Sequence, residues 1–359
     1  MHNFAERAAR FLQSIERLQL DGFVLQHPSN LAYLFNFRGP GTALWADGQA
    51  TLLVDSRYAE QAFEQAINCR PRLFQGTPEE GLREALSPLP GKTRIGIEAD
   101  SASWASVLKM ASWNLDVELV PTYDVVEELR MIKEVSEIQL LQEACSLACQ
   151  ALRIWLDHFK SGLTELEAAG LLELECRKLK SEGPAFETIL ASGPRSSRPH
   201  GTASGRIITS SDWILVDFGV KHGGYCSDMT RMLFPQGTVP HDIYQIVLEA
   251  QNEALSMIRP GVRLSDIDRA ARSRIESGGF GAQFGHSTGH GLGLDVHELP
   301  RISSREHREA QEGMVFTVEP GIYLPGEFGV RVEDVAVVTA DGHRVLTNDL
   351  DQQSLWPRV

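Results

Sequence analysis

Asp217 lies inside Trp213-Ile-Leu-Val-Asp-Phe-Gly219, an apolar run with the character of a buried strand. A carboxylate in such a run needs a partner, because an unpaired buried charge is strongly disfavoured. Asp228 follows in Tyr225-Cys-Ser-Asp-Met-Thr-Arg231. If His222-Gly223 forms a two-residue turn, the two carboxylates face each other across a hairpin with Cβ atoms about 5 Å apart. Like charges that close repel unless a cation lies between them. A second stretch repeats the arrangement. Glu319 in Val315-Phe-Thr-Val-Glu-Pro320 opposes Glu333 in Val330-Arg-Val-Glu-Asp-Val335 if the loop around Pro325-Gly326 holds three residues. A longer loop would offset them.

Four inward carboxylates carry four negative charges, which two divalent cations neutralise. His290, in Phe284-Gly-His-Ser-Thr-Gly-His-Gly-Leu-Gly293, can add an imidazole. The glycines there disfavour a regular helix, so this is not an H-E-x-x-H zinc helix; they let backbone pass close to a metal instead. One imidazole among oxygen ligands suits Mn²⁺ first, with Co²⁺ or Zn²⁺ as alternatives. Taken singly, a strand carboxylate is usually a surface group and a histidine usually a hydrogen-bonded polar one. Those readings do not explain five such residues at mirrored spacings.

The elements around these residues fall into two parts. The first reads as alternating helix and strand: a helix over 3–18, a strand at 22–26, a helix behind the cap Ser29, and a strand at 51–54. A helix at 57–65, strands at 94–98 and 117–120, and a helix at 104–110 complete a small α/β domain over 1–125. No Gly-rich phosphate loop follows any of its strands. The second part, 126–359, shows helix, helix, hairpin, repeated once. Helices at 134–159 and 165–181, the latter opening with Thr164-x-x-Glu167, precede a hairpin over 213–233. Helices at 241–258 and 266–277, the latter behind Ser265, precede one over 314–338. The repeat implies a pseudo-symmetric α+β domain with a site between its halves.

Composition sets the outer bounds. With Lys+Arg 34 against Asp+Glu 48, the net charge of −14 offers no basic stripe for nucleic acid or an anionic membrane. No signal peptide and no run of eighteen apolar residues is visible. The five cysteines lack C-x-x-C spacing and read as reduced residues of a cytoplasmic protein. Cys145 and Cys149, four apart, sit in an apolar helical pattern and are expected in the core.

In combination these motifs resemble the pita-bread metallopeptidases, in the prolidase and Xaa-Pro aminopeptidase branch. The resemblance is carried by Ser197-Arg-Pro-His200, the Asp217 and Asp228 strands, His286-x-x-x-His290-Gly-Leu-Gly293 and His297-Glu-Leu-Pro-Arg301. Glu319-Pro-Gly-Ile-Tyr323, Arg331-Val-Glu333 and Leu129-Arg-Met-Ile-Lys133 add to it. Asn30-Leu-Ala-Tyr33 and Asp55-Ser-Arg-Tyr58 extend it into the first domain, which resembles the creatinase/prolidase N-terminal domain. One departure is Arg195, where the family often carries Asn; it bears on substrate fit rather than on the ligands.

The resemblance implies a dinuclear exopeptidase acting on peptides with proline at the second position, with a prolidase-type dipeptidase favoured over an Xaa-Pro aminopeptidase. It makes Asp228 and Glu333 bridging ligands, with Asp217 on one ion and His290 plus Glu319 on the other. Glu319 doubles as proton shuttle, and His200, His286 and His297 are candidates to steady the oxyanion. Arg331 becomes the partner of a carboxylate ligand, and it lies on the strand face of Glu333. Arg301 matches the arginine with which prolidases grip a dipeptide's C-terminal carboxylate. A homodimer is implied as well, in which one subunit's small domain approaches the other's site. Creatinase-like relatives lack the full ligand set, a methionine aminopeptidase lacks the N-terminal domain, and a non-catalytic scaffold would carry broken ligands. Metal analysis separates enzyme from scaffold; a dipeptide-versus-tripeptide panel separates the two peptidases.

Overall fold

The computed structural model describes residues 2–235 and 241–350, so the last residues of the second expected domain, 351–359, lie outside it. The chain divides into two compact units, Met1–Arg130 and Met131–Val359.

In the first unit, α1 (Phe4–Arg17) begins where the Asn3 side chain accepts the N–H of Glu6. It buries Arg7, Phe11 and Ile15, spaced by four as a single helical stripe requires. After β1 (Gly22–Leu25) comes α2 (Pro28–Phe35). Ser29 is not its cap. Pro28 takes the first helical position behind His27, where a fixed φ and a missing N–H cost nothing. Next, β2 (Thr42–Ala46) and β3 (Gln49–Val54) pair as a hairpin through Asp47-Gly48, both at positive φ (51° and 72°). Helix and strand then alternate through α3 (Ala59–Gln65), β4 (Arg70–Leu73), α4 (Pro78–Leu86), β5 (Thr93–Glu98), α5 (Trp104–Ala111) and β6 (Val117–Thr122). The six strands form one sheet in the order β4-β3-β2-β1-β5-β6. Simple alternation therefore missed an antiparallel β1-β2-β3 meander at its centre. A short α6 (Glu127–Met131) ends this stretch.

The second unit opens with α7 (Val135–His158), capped by the reciprocal Glu134–Glu137 bonds, and α8 (Glu165–Lys178), capped by Thr164 and Glu167 as its sequence predicts. Six strands follow: β7 (Gly183–Pro184), β8 (Ile189–Ser192), β9 (Ile214–Phe218), β10 (Val220–His222), β11 (Tyr225–Cys226) and β12 (Met229–Leu233). They make the sheets β12-β9-β8 and β11-β10-β7. The helix pair recurs as α9 (His241–Met257) and α10 (Leu264–Ser277). Ser265 lies inside α10, which starts one residue earlier behind Arg263. Then come β13 (Gly289–Gly291), β14 (Glu298–Ile302), β15 (Val315–Val318), β16 (Gly321–Leu324), β17 (Phe328–Arg331), β18 (Asp334–Thr339) and β19 (Gly342–Val345). Their sheets are β14-β13-β15-β18-β19 and the hairpin β16-β17.

Each helix pair covers its own sheets. Leu152, Trp155 and Leu172 pack on Val216 and Met229, while Val247, Ala254 and Ile267 pack on Phe316 and Val330. Cys145 and Cys149 are buried in α7, and all five cysteines are free. The result is the α+β pita-bread arrangement, preceded in the chain by a smaller α/β domain. Among the described residues no helix is long and apolar enough to cross a membrane.

Candidate metal centre

Asp217 projects from the buried strand β9, where its cross-strand partner is Thr230 rather than Asp228. The turn is Gly223-Gly224, with φ of 57° and 83°, one residue later than His222-Gly223. Two consecutive positive-φ positions suit two glycines better than a histidine and a glycine. The register consequently moves by two residues, so the carboxylates are diagonal neighbours and not directly opposed. An even shift leaves them on the same face.

The second pair follows the predicted register. Val318 opposes Asp334 on one side, and Gly321 opposes Arg331 on the other. Between those ladders the same register sets Glu319 against Glu333. The connecting loop holds Pro325, Gly326 and Glu327, with Gly326 at a φ of 79°.

Ligand atoms of Asp228, His290 and Glu333 lie within 4.8 Å of one another. His290 Nε2 stands 3.3 Å from Glu319 Oε1 and 3.7 Å from Asp228 Oδ2. Its Nδ1 is 3.1 Å from the Gly291 carbonyl, which can only accept, so the ring proton belongs there and the Nε2 lone pair faces the carboxylates. Burial holds the imidazole below its usual pKa and hence neutral. Burial, and then the charges of Glu333, Asp217 and Glu319, push Asp228 well above the carboxylate range. Burial and the charges of Glu319 and Asp217 do the same to Glu333, and burial lifts Glu319 to about 7. Asp217 Oδ1 and Asp228 Oδ1 are buried without a hydrogen-bond partner.

A neutral nitrogen lone pair, orphaned carboxylate oxygens and mutually repelling acids are what a cation site presents without its cations. The donor set therefore fits divalent metal, with Asp217, Asp228, His290, Glu319 and Glu333 as the residues that would hold it. A measurable consequence follows for metal-free protein. Acids whose folded pKa is raised hold more protons folded than unfolded, so stability falls as pH rises. His286, His290 and His297, whose pKa values are lowered, act in the opposite sense below about pH 6.5. Above that pH the Tm of chelator-treated protein is expected to drop towards pH 8, and saturating Mn²⁺ should flatten that slope. A Tm independent of pH without metal would contradict this electrostatic picture.

Around the acids, Arg331 is buried and fully engaged. It donates to Asp217 Oδ2, the Thr230 hydroxyl (3.0 Å), the Tyr323 hydroxyl (2.7 Å) and the Pro199 carbonyl (3.1 Å). Thr230 in turn donates to Glu333 Oε2 at 2.7 Å, and Thr317 to Glu319 Oε1 at 3.3 Å. Sequence reading assigns these threonines no role, and Tyr323 enters there only as the end of the Glu319–Tyr323 motif. The signal for the threonines was present: each lies two residues from a ligand on its strand, hence on the same face.

The three histidines occupy different settings. His286 is committed on both sides, with Nδ1 2.8 Å from the Ser287 carbonyl and Nε2 3.0 Å from the Tyr323 hydroxyl. The carbonyl fixes the tautomer, so Tyr323 donates to His286 while accepting from Arg331. Burial holds His286 near a pKa of about 4. His297 is exposed and stands edge-on to His290, ring centroids 4.2 Å apart. His200 is exposed on the loop whose Pro199 carbonyl Arg331 holds. Arg301 is exposed on β14, paired across the ladder with His290. Among the described residues its guanidinium has no hydrogen-bond or ion-pair partner. Arg195 points elsewhere, to the buried Glu165 (2.9 Å) and the Thr202 carbonyl (2.6 Å), and so braces the His200 loop.

A sequence model of metallopeptidase family M24 matches residues 139–340, and one of the creatinase/prolidase N-terminal domain matches 7–132. The chain is 34% identical to an Xaa-Pro dipeptidase of Pyrococcus furiosus, over 95% of this chain and 97% of that one. An Xaa-Pro dipeptidase structure from Bacillus anthracis superposes with a TM-score of 0.91 at 36% identity, covering 96% of this chain and 98% of the other. An X-Pro aminopeptidase from Thermotoga maritima does so with a TM-score of 0.84, also at 36% identity, covering 94% and 97%. Family models over both parts of the chain and near full-length relatives lead to one assignment: the chain is a metallopeptidase, a hydrolase of family M24.

Proposed function

We propose that this peptidase hydrolyses the Xaa-Pro bond of dipeptides at a dinuclear divalent-metal centre held by Asp217, Asp228, His290, Glu319 and Glu333. The observation that carries the dipeptide reading is Arg301, an exposed guanidinium without a partner among the described residues, one strand across from His290. A planar fork of donors beside the scissile bond suits a C-terminal carboxylate. Relatives named Xaa-Pro dipeptidase support the same reading.

Bound metal ions would supply an activated water and an electrophile for the peptide carbonyl. Glu319, with a pKa lifted to about 7 in the metal-free site, is suited to take the water's proton and deliver it to the departing proline nitrogen. His297 and His200, both exposed, can donate to the carbonyl oxygen as it gains charge. His286 acts differently, through Tyr323 and Arg331, keeping Asp217 oriented. Manganese as the working metal and a homodimeric assembly belong to the same reading, on the family resemblance; metal analysis and light scattering test them.

A carboxylate–guanidinium contact is worth about 1.5–3 kcal/mol, or roughly ten- to hundredfold in rate. Arg301→Ala should cut kcat/KM on an Xaa-Pro dipeptide by about that factor, and less on Xaa-Pro-Yaa, whose carboxylate lies one residue further out. The Thermotoga relative named X-Pro aminopeptidase keeps the alternative in view. If wild type prefers the longer peptide and Arg301→Ala affects both alike, the aminopeptidase reading replaces this one.

A further inference from the structure

The segment carrying His286 and His290 is not helical, so its backbone polar groups need partners from other elements. Two side chains one turn apart on α10 provide them. Asp268 is fully buried, and its Oδ1 accepts the N–H (3.1 Å) and the hydroxyl (2.8 Å) of Thr288. Arg272 forks onto both oxygens of Asp268, at 3.0 and 2.9 Å. It also donates to the carbonyls of Phe284 (3.1 Å) and His286 (2.9 Å), with its guanidinium 4.4 Å from the centre of the Phe284 ring.

The chain of contacts continues into the site. Thr288's carbonyl accepts the N–H of Glu319 at 2.7 Å, and the N–H of His290 reaches the Thr317 hydroxyl at 3.1 Å. Between them Gly289 leaves no room, since a Cβ there would lie 1.9 Å from the Thr317 carbonyl oxygen. A shift of the 284–288 backbone would therefore be felt at both His290 and Glu319. Fold stability alone is a weak reason for this pair, because buried ion pairs can often be replaced by apolar residues without loss.

Resting on the metal-centre reading above, we propose that Asp268 and Arg272 are positioning residues. They hold the 284–288 backbone so that His290 Nε2 and the Glu319 carboxylate converge, and they thereby set the affinity for the ion those two residues hold. Neither touches substrate or metal.

The test uses Asp268→Asn, and Arg272→Lys, which keeps a charge beside Asp268 but loses the fork onto the two carbonyls. Thr288→Val, which removes only the hydroxyl link, serves if Asp268→Asn does not fold. Each is titrated with Co²⁺ by calorimetry and followed by visible absorption. Wild type should bind two Co²⁺. In Asp268→Asn and Arg272→Lys one ion should bind as in wild type and the other about 10–100-fold more weakly, with an altered cobalt spectrum. Under subsaturating metal, kcat should fall in parallel with little change in KM. Thr288→Val should move the same readouts in the same direction, less far. Variants with a lower Tm but wild-type cobalt affinities and spectrum would overturn the proposal, leaving the pair as a structural brace. Wild-type protein that binds no cobalt would instead strike the metal-centre reading, and this inference with it.

Discussion

Asp228→Asn and Glu333→Gln are each expected to lower kcat/KM on an Xaa-Pro dipeptide at least about a thousandfold, because metal catalysis supplies several kcal/mol that each substitution forfeits. Each change is nearly isosteric and removes one charge from a cluster that already lacks compensation. Asp228 is buried, with its pKa raised by that burial and by three neighbouring acids. Glu333 is buried likewise, with the Thr230 hydroxyl the only donor to its carboxylate among the described residues. The metal-free variants should therefore be as stable as metal-free wild type, or more so, since a repelling buried charge has gone. Their loss appears in metal content and turnover. Near-normal activity with full metal in either variant would remove these residues from the ligand set.

Arg331→Met should have the largest effect on stability. The guanidinium is 3% exposed as a side chain and pairs with Asp217 at 11%. Removing one partner of a buried pair strands the other, at a cost of about 3–5 kcal/mol. The penalty should be greatest in chelator, where Arg331 is the cation nearest Asp217, and smaller with saturating metal. Tyr323→Phe removes one hydrogen bond from the same group and should cost about 0.5–1.5 kcal/mol. Urea unfolding with and without Mn²⁺ reads both. Equal stability of Arg331→Met and wild type in chelator would mean that Asp217 is neutral or solvated there.

What the sequence made legible was governed by local rules, and what it hid was tertiary. Strand parity put Asp217 with Asp228 and Glu319 with Glu333 on common faces, and the three-residue loop Pro325–Glu327 matched its expected length. The first hairpin differed by two residues because Gly223-Gly224, not His222-Gly223, satisfies two positive φ values. The Asp47-Gly48 turn that creates β2 was an equally strong local signal that the alternating pattern obscured. Asp268 and Arg272 were not legible: four apart on a helix, they look like any surface ion pair. Only the folded chain shows that Asp268 is buried, with the partly exposed Arg272 tying it to the glycine segment. Arg195 is the converse case. Read against the family it suggested altered substrate fit, yet its guanidinium is spent on Glu165.

The most direct test of the central claim is a count of metal ions per chain coupled to turnover. Purified protein is stripped with chelator, titrated with Mn²⁺, and assayed on an Xaa-Pro dipeptide at each step. Two ions per chain should bind, with hydrolysis absent from the stripped protein and restored as the centre fills. Full activity in the stripped protein, or restoration without any bound ion, would contradict a dinuclear centre built on Asp217, Asp228, His290, Glu319 and Glu333.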